Sequence, residues 1–304
     1  MLLPLLFGVL AILFAMTMRI SGPTARTQLY FGIRRQWATH WPLEEGKRLP
    51  VVLSPWFQPF TPVWMQVEPH IRMQLDPYDV VSQTILETGG WELPSWRVLE
   101  NHLQPGATFV DIGAHIGYYS LKAASVVGSA GRVIAIEPNP QTLPKLRQNL
   151  DASGARVVTV EPVACSDTEA TVELFAAAAN NTGETSLSRT NASQEGPVAA
   201  SYKVRARPLD EILRDANVLR VDAIKVDVEG AEFLVFKGAQ RTLDRFHPVL
   251  LIEVLDSQLR AMGSSAAELR SLLAAHGYVA RGQYGYNIEF DPQITSAQAR
   301  RNLP

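Results

Sequence analysis

The strongest constraint on the fold is the alternation of strand-like and helix-like segments that runs from Thr108 to Gly277. TFVDI reads as a strand and HIGYYSLKAASVVG as a helix, followed by RVIAIE as a strand and PQTLPKLRQNLDASG as a helix starting near Pro140. ARVVTVEPVA reads as a third strand ending at a Cys-Ser-Asp turn, AIKVDV as a fourth and PVLLIEV as a fifth. AEFLVFKGAQRTLDRF is helical between the last two, and SSAAELRSLLAAHG is a helix stopped by Gly277. Regular alternation buries a mostly parallel sheet between helices on both faces, so the expected fold class is α/β and Rossmann-like. TVELFA and YKVRARP flank the polar stretch AAANNTGETSLSRTNASQEGPVA and read as antiparallel additions. Asn180 and Asn191 head triplets of the glycosylation pattern, which arise often by chance and mean nothing in the cytoplasm.

Two regions precede this body. Residues 1–18, MLLPLLFGVLAILFAMTM, are apolar apart from Thr17 and long enough to span a bilayer as an N-terminal helix. A cleaved signal peptide would want basic residues before the apolar run and a small-x-small site after it, and neither is present. Arg19, Arg26, Arg34 and Arg35 follow, with no acid until Glu44, which keeps the downstream side cytoplasmic by the positive-inside rule. The expectation is membrane association through a single anchor, with a cytoplasmic catalytic body. Translation from Met16 or Met18 would instead give a soluble cytoplasmic protein. Residues 19–76 form a Pro- and Trp-rich extension in which VVLS, VWMQV and IRMQL read as short strands, and residues 77–304 form the main domain. With 28 basic and 30 acidic residues there is no basic excess, so no nucleic-acid partner is expected. Cys165 is the only cysteine, which excludes an internal disulfide and a cysteine-based metal cluster.

Ligands of open α/β sheets bind outside the carboxyl ends of the strands, and here each of those ends carries an acid. Asp111 closes the first strand, Glu137 the second, Asp167 follows the third, Asp227 and Glu229 the fourth, and Glu253 the fifth. Unpaired buried carboxylates are costly, and their repetition at one rim points to a ligand. Glu137, in AIEPNP with Pro138 and Asn139, can accept both hydroxyls of a ribose, or can serve as a helix N-terminal acid. Asp167, beside Ser166, can take an exocyclic amine of adenine, or can form an Asx turn.

FVDIGAHIGYYS, Phe109 to Ser120, decides between cofactors. Counted from Gly113, the dinucleotide fingerprint needs glycines where His115 and Tyr118 stand. The glycine that lets backbone approach a pyrophosphate is missing, and Asp111 would oppose a dianion. A phosphate-free, positively charged cofactor fits better, and S-adenosylmethionine is one. Gly113, Ala114 and Gly117 would let its methionine end pass closely, with the carboxylate near the following helix start. A nicotinamide-dependent oxidoreductase is the alternative from another enzyme class. A non-catalytic, membrane-tethered binding protein is the alternative from outside the enzymes.

At these residues the chain resembles the FkbM family of class I S-adenosylmethionine-dependent methyltransferases. VDIGAHIGYYSL, AIEPNP and VACSD resemble its first three motifs in order, and IKVDVEGAEFLVFKGAQRTL with PVLLIEV is the most specific match. RPLDEIL and QLDPYDVVSQTILETGGWE also resemble family segments, so the likeness covers about Gln74 to Phe290. It implies a seven-stranded sheet with an antiparallel last strand, and methyl transfer commonly to hydroxyl oxygens of sugars or natural products. It also implies a small-molecule or glycan acceptor, and Glu92 in GGWELP either covers the cofactor, as the likeness implies, or only starts the next helix. His115 departs from the family's usual Asn.

A hydroxyl nucleophile gains from alignment with the methyl group and from a base. Asp227 and Glu229, two apart and on one face if the chain is extended there, are the candidates on the acceptor side, with Asp227 also able to reach the cofactor. Each also has a structural reading, Glu229 as a helix cap and Asp227 as the holder of a turn. Glu253 binds an acceptor hydroxyl or a neighbouring loop. Asp227, Glu229 or Glu253 could hold Mg²⁺, as the resemblance to class I oxygen methyltransferases implies for some members, but no ligand set in the sequence commits to a metal.

Overall fold

The computed structural model describes residues 22–40, 57–177, 185–194 and 197–293. They fall into two compact units that divide between Trp91 and Glu92. The proposed anchor, residues 1–18, and the strand expected at VVLS lie outside the described residues. Among the described residues no helix is long and apolar enough to cross a membrane.

The first unit contains α1 (Pro23–His40), the strands β1 (Val63–Glu68) and β2 (Ile71–Leu75), and α2 (Val80–Thr88). β1 and β2 form the antiparallel hairpin that their sequences indicate. In β2 the buried residues Ile71, Met73 and Leu75 alternate with more exposed ones, the period-two pattern of a strand with one covered face. Asp79 caps α2 by accepting from the Ser82 amide at 2.9 Å. Arg35 of α1 donates to the carbonyl of Leu86 in α2 at 2.7 Å, and Arg34 pairs with Glu87 at 2.8 Å.

The second unit opens with α3 (Leu93–His102) and continues through β3 (Thr108–Ile112), α4 (Tyr118–Val127), β4 (Arg132–Ile136), α5 (Leu143–Ala152) and β5 (Val158–Glu161). A side branch follows: β6 (Ala164–Ser166), β7 (Ala170–Ala176), β8 (Thr185–Ser186), α6 (Arg189–Ala192) and β9 (Ala200–Pro208). The chain then returns through α7 (Leu209–Asp215), β10 (Ala223–Val226), α8 (Glu232–Lys237), α9 (Gln240–Phe246) and β11 (Val249–Glu253). It closes with α10 (Asp256–Ala261), α11 (Ala266–Ala275), β12 (Tyr278–Tyr284) and β13 (Asn287–Pro292).

The main sheet has seven strands in the order β12-β13-β11-β10-β3-β4-β5. The pairings from β11 through β5 are parallel, and β13 runs antiparallel to both of its neighbours. This is the expected sheet with its antiparallel last strand. The third expected strand is divided. Pro162 has no amide to donate, so the main-sheet ladder stops at Glu161, and Ala164–Ser166 joins a second, four-stranded sheet, β6-β9-β7-β8. TVELFA and YKVRARP pair antiparallel there, as expected.

The period of two sorts the strand residues into faces. Val110, Ile112, Ile224, Val226, Leu250 and Ile252 pack into one apolar core with residues of α7 to α11. The intervening positions, Phe109, Asp111 and Lys225, therefore belong to the opposite face. Two charged residues in fully buried strands are the irregularity that leads to the site.

Candidate active site

The parallel strands deliver Asp111, Glu137, Asp227 and Glu253 to one end of the sheet. β3 ends in the turn that begins at Gly113, where φ is +84° and a Cβ would stand 1.8 Å from the carbonyl oxygen of Asp227. The turns after β3 and β10 thus touch backbone to backbone, and only glycine fits. Gly113 has this internal duty in addition to any ligand that passes it. Ala114 is buried behind it and donates its amide to the carbonyl of Ile136, and Gly117 precedes α4 as its cap.

Glu137 is 5% exposed, and its two oxygens accept the amides of His115 and Asn139, each at 2.8 Å. Burial pushes its carboxyl up to about 7, against the pull of those amides. It does not cap α5, which begins at Leu143 with Thr142 at the cap position. Each oxygen keeps acceptor capacity beyond its one amide, the arrangement needed by two ribose hydroxyls. His115 has φ 50°, a left-handed conformation that Asn and His enter more readily than most residues. That lets histidine stand where the resemblance implies asparagine. Pro138 is half-buried, and the buried Asn139 accepts from the Gln141 amide at 2.9 Å while donating to Thr185 Oγ1 at 3.1 Å.

Asp111 lies beneath the rim, not on it. It is 1% exposed, accepts from Ser120 Oγ at 2.6 Å, and stands in register with Lys225 on the neighbouring strand. Burial raises its pKa, while Lys225 and Ser120 oppose the rise. Lys225 Nζ meets Asp227 Oδ2 at 2.6 Å and lies 4.6 Å from the Tyr119 ring centroid. Burial alone would lower the lysine's pKa, but Asp227, Glu92 and Asp111 outweigh it and hold the ammonium charged above its usual range. Glu92 opens α3 without capping it; its two oxygens accept from Tyr119 Oη and Asn287 Nδ2, both at 2.9 Å.

Asp227, Glu229 and Glu253 bring carboxylate oxygens within 4.8 Å of one another. The expected reason, an extended chain from Asp227 to Glu229, does not hold, because Glu229 has φ 53° and the chain turns there. Nor does Glu229 cap a helix, since α8 starts only at Glu232. Glu232, 1% exposed, holds the turn from inside by accepting the amides of Gly230 at 3.1 Å and Val228 at 3.3 Å. The Glu229 carboxylate accepts from Gln258 Nε2, and its carbonyl accepts from Ser186 Oγ at 2.7 Å and Asn191 Nδ2 at 2.9 Å. Asn191 is 3% exposed, which accounts for its glycosylation-like triplet as a buried clamp. Glu253 Oε2 is buried with no hydrogen-bond partner among the described residues, and burial followed by Asp227 and Glu229 pushes this carboxyl far up. Three carboxylate oxygens this close could hold a hard cation, which would displace that proton.

Asp167 belongs to a different set of contacts, after β6. Lys237 Nζ meets its Oδ2 at 2.6 Å and pulls its pKa down, with Ser166 Oγ at 3.4 Å from the other oxygen. Cys165 is buried, which pushes its thiol up to about 12 and leaves it inert.

The sequence profile of the methyltransferase FkbM domain matches residues 111–280, the stretch that carries these acids. This chain belongs to the FkbM methyltransferase family. Among its relatives is AMB antimetabolite synthetase AmbE of Pseudomonas aeruginosa, 29% identical over 209 residues, 58% of this chain and 10% of AmbE. Hexuronic acid methyltransferase AglP of Haloferax volcanii is 28% identical over 156 residues, 51% of this chain and 59% of AglP. The chain therefore spans less than two thirds of either relative. Among solved structures, Aeropyrum pernix fibrillarin with bound S-adenosyl-L-methionine is similar at 12% identity and TM-score 0.38, over 65% of this chain and 74% of its own.

Within this FkbM domain, sequence reasoning passed over Lys225, Tyr119, Glu232, Gln258 and Asn191. The lone charge in AIKV, one residue before the strand end and level with Asp111, was the available signal for Lys225. Gln258 and Asn191 reach Glu229 only through tertiary folding, and nothing local marks them.

Proposed function

We propose that this FkbM-family protein is an S-adenosylmethionine-dependent methyltransferase acting on a hydroxyl oxygen of a sugar, glycan or related acceptor. The observation that carries the acceptor side is the convergence of Asp227, Glu229 and Glu253 beside the turn that follows β3. S-adenosylmethionine, when bound, supplies a methyl group activated by a positively charged sulfur. Glu137 accepts the ribose hydroxyls, and the turn from Gly113 through Gly117 borders the methionine end. Asp227 faces the cationic end with the oxygen that Lys225 leaves free. Asp167 offers its remaining oxygen to the adenine amine while Lys237 holds the other.

On the acceptor side, Glu229 is held in place from three directions and takes the hydroxyl proton as the new carbon–oxygen bond forms. Glu253, protonated, donates to the acceptor and so orients it. AglP is named for a hexuronic acid, but three carboxyl groups so close together disfavour a second anion. A neutral hydroxyl acceptor is the better match here.

The test is incubation of the full chain with methyl-labelled S-adenosylmethionine and separate neutral and uronic-acid glycan fractions. Label in base-stable linkage on neutral glycans is the expected result. Label that base releases as methanol would indicate esterified carboxylates and overturn the hydroxyl assignment. Cofactor binding with no labelled fraction would favour a non-catalytic binding role.

A further inference from the structure

Lys225 poses a problem of charge. It is 2% exposed on a central strand, and a buried ammonium persists only if it is paired. Three acids act on it, and Glu92 is already held by Tyr119 and Asn287. Asp111, level with it in the sheet, already accepts from Ser120 Oγ at 2.6 Å. The ammonium instead meets Asp227 Oδ2 at 2.6 Å, and the pair is asymmetric: the lysine side chain is 3% exposed and the aspartate side chain 26%. Tyr119 closes the inner side with its ring face, and its hydroxyl is held by Glu92 at 2.9 Å. The cation is sealed inside and the anion faces outward.

We propose that Lys225 is a positioning residue for the cofactor's charged end. It fixes one oxygen of Asp227 from below and offsets the charge of Asp111, so that Asp227 presents its other oxygen to the sulfonium in a fixed orientation. The inference rests on the S-adenosylmethionine reading. It adds a discrimination that a merely structural ion pair would not produce: Lys225 sets how strongly the site prefers the charged cofactor over its uncharged product, S-adenosylhomocysteine. Strong preference for the charged form would favour substrate at the expense of methyl departure, because the sulfur loses its charge in the reaction.

The experiment is calorimetric titration of both ligands into the full wild-type chain, Lys225→Met and Lys225→Arg. In Lys225→Met the charge of Asp227 reaches the sulfonium without the ammonium that offsets it. The ratio of S-adenosylhomocysteine Kd to S-adenosylmethionine Kd should then rise about a hundredfold, the effect of one unit charge about 6 Å away at an effective dielectric near 20. Lys225→Arg should keep the wild-type ratio. An unchanged ratio in Lys225→Met, with both ligands bound, overturns this proposal alone. No binding of either ligand to the wild-type chain overturns the cofactor reading and this proposal with it.

If Lys225→Met does not fold, isotope-labelled lysine in the wild-type protein carries the test. A buried, hydrogen-bonded ammonium gives an observable nuclear magnetic resonance signal. Its shift on saturation with S-adenosylmethionine should exceed that with S-adenosylhomocysteine. Equal shifts overturn the assignment.

Discussion

Glu137 is where one side chain makes the sharpest demand. Its carboxyl, raised to about 7 by burial, is partly protonated near neutrality, yet ribose hydroxyls bond best to the ionised form. Affinity for a nucleoside cofactor should therefore increase as pH rises through that value. Between pH 6 and pH 8 the Kd of S-adenosylhomocysteine should tighten about tenfold by calorimetry, following the ionised fraction. Glu137→Gln should weaken binding by about 2 kcal/mol, the scale of a hydrogen bond to a charged group, and abolish the pH dependence. Affinity unaltered by that substitution would remove Glu137 from the ribose site. His115→Asn should leave affinity and turnover near wild type, because both residues accept the left-handed conformation and the backbone amide is what meets Glu137. A shifted pH–rate profile in that variant would show instead that the imidazole takes part.

Several of these residues were legible in the sequence for a simple reason. An acid that ends an apolar strand has no packing role to explain it, and Glu137, Asp227 and Glu253 all stand that way. Asp111 shows the limit of that logic. It lies one residue inside β3, so the pleat turns it toward α4 and Lys225 and away from the rim.

Among the elements, the side branch between β6 and β9 has the least predictable part. Its composition reads as a polar loop, and its two strands were recognisable from alternation alone. What no local pattern conveys is that β8 and α6 fold back against both halves of the site. Thr185 meets Asn139 beside Glu137, while Ser186 and Asn191 meet the carbonyl of Glu229. Asn191 Nδ2 also donates to the carbonyl of Gln258 at 3.0 Å, so one amide ties the side branch to the turn after β10 and to α10. Removing it leaves the Glu229 carbonyl with Ser186 Oγ and takes a donor from the Gln258 carbonyl. Asn191→Ala should cost about 1–3 kcal/mol in denaturant unfolding. With any acceptor that takes label, it should also lower turnover while leaving the S-adenosylhomocysteine Kd in place. In a Glu229→Gln background the same change should bring no further loss of turnover. An additive loss would mean that Asn191 acts on something other than Glu229.

For the molecule as a whole, the raised carboxyls make stability depend on pH in an unusual direction. Glu137 and Glu232 titrate near 7 in the native chain against an ordinary value of 4.5, and burial is the leading cause for both. The folded state thus holds protons that the unfolded chain gives up. The stability these groups contribute is present below about pH 4.5 and lost as pH rises to about 7, at about 3 kcal/mol each. Glu253 extends the loss to higher pH. The lowered Asp167 works the other way, losing its contribution as pH falls below the ordinary aspartate range. The ligand-free protein should therefore show its highest melting temperature near pH 5 and a steady decline toward pH 8, measured by calorimetry in matched ionic strength. A melting temperature that rose over that interval would contradict the buried, protonated state of these acids.

The missing Cβ of Gly113 has one more consequence, for anyone who would re-engineer the acceptor range. The backbone of the first glycine turn rests on that of Asp227, so the segments around 111–117 and 225–232 must fit each other although more than a hundred residues separate them. A chimaera that imports the second segment from a relative without the first would join two surfaces shaped for different neighbours. Grafts in this family should be cut so that both strand ends travel together.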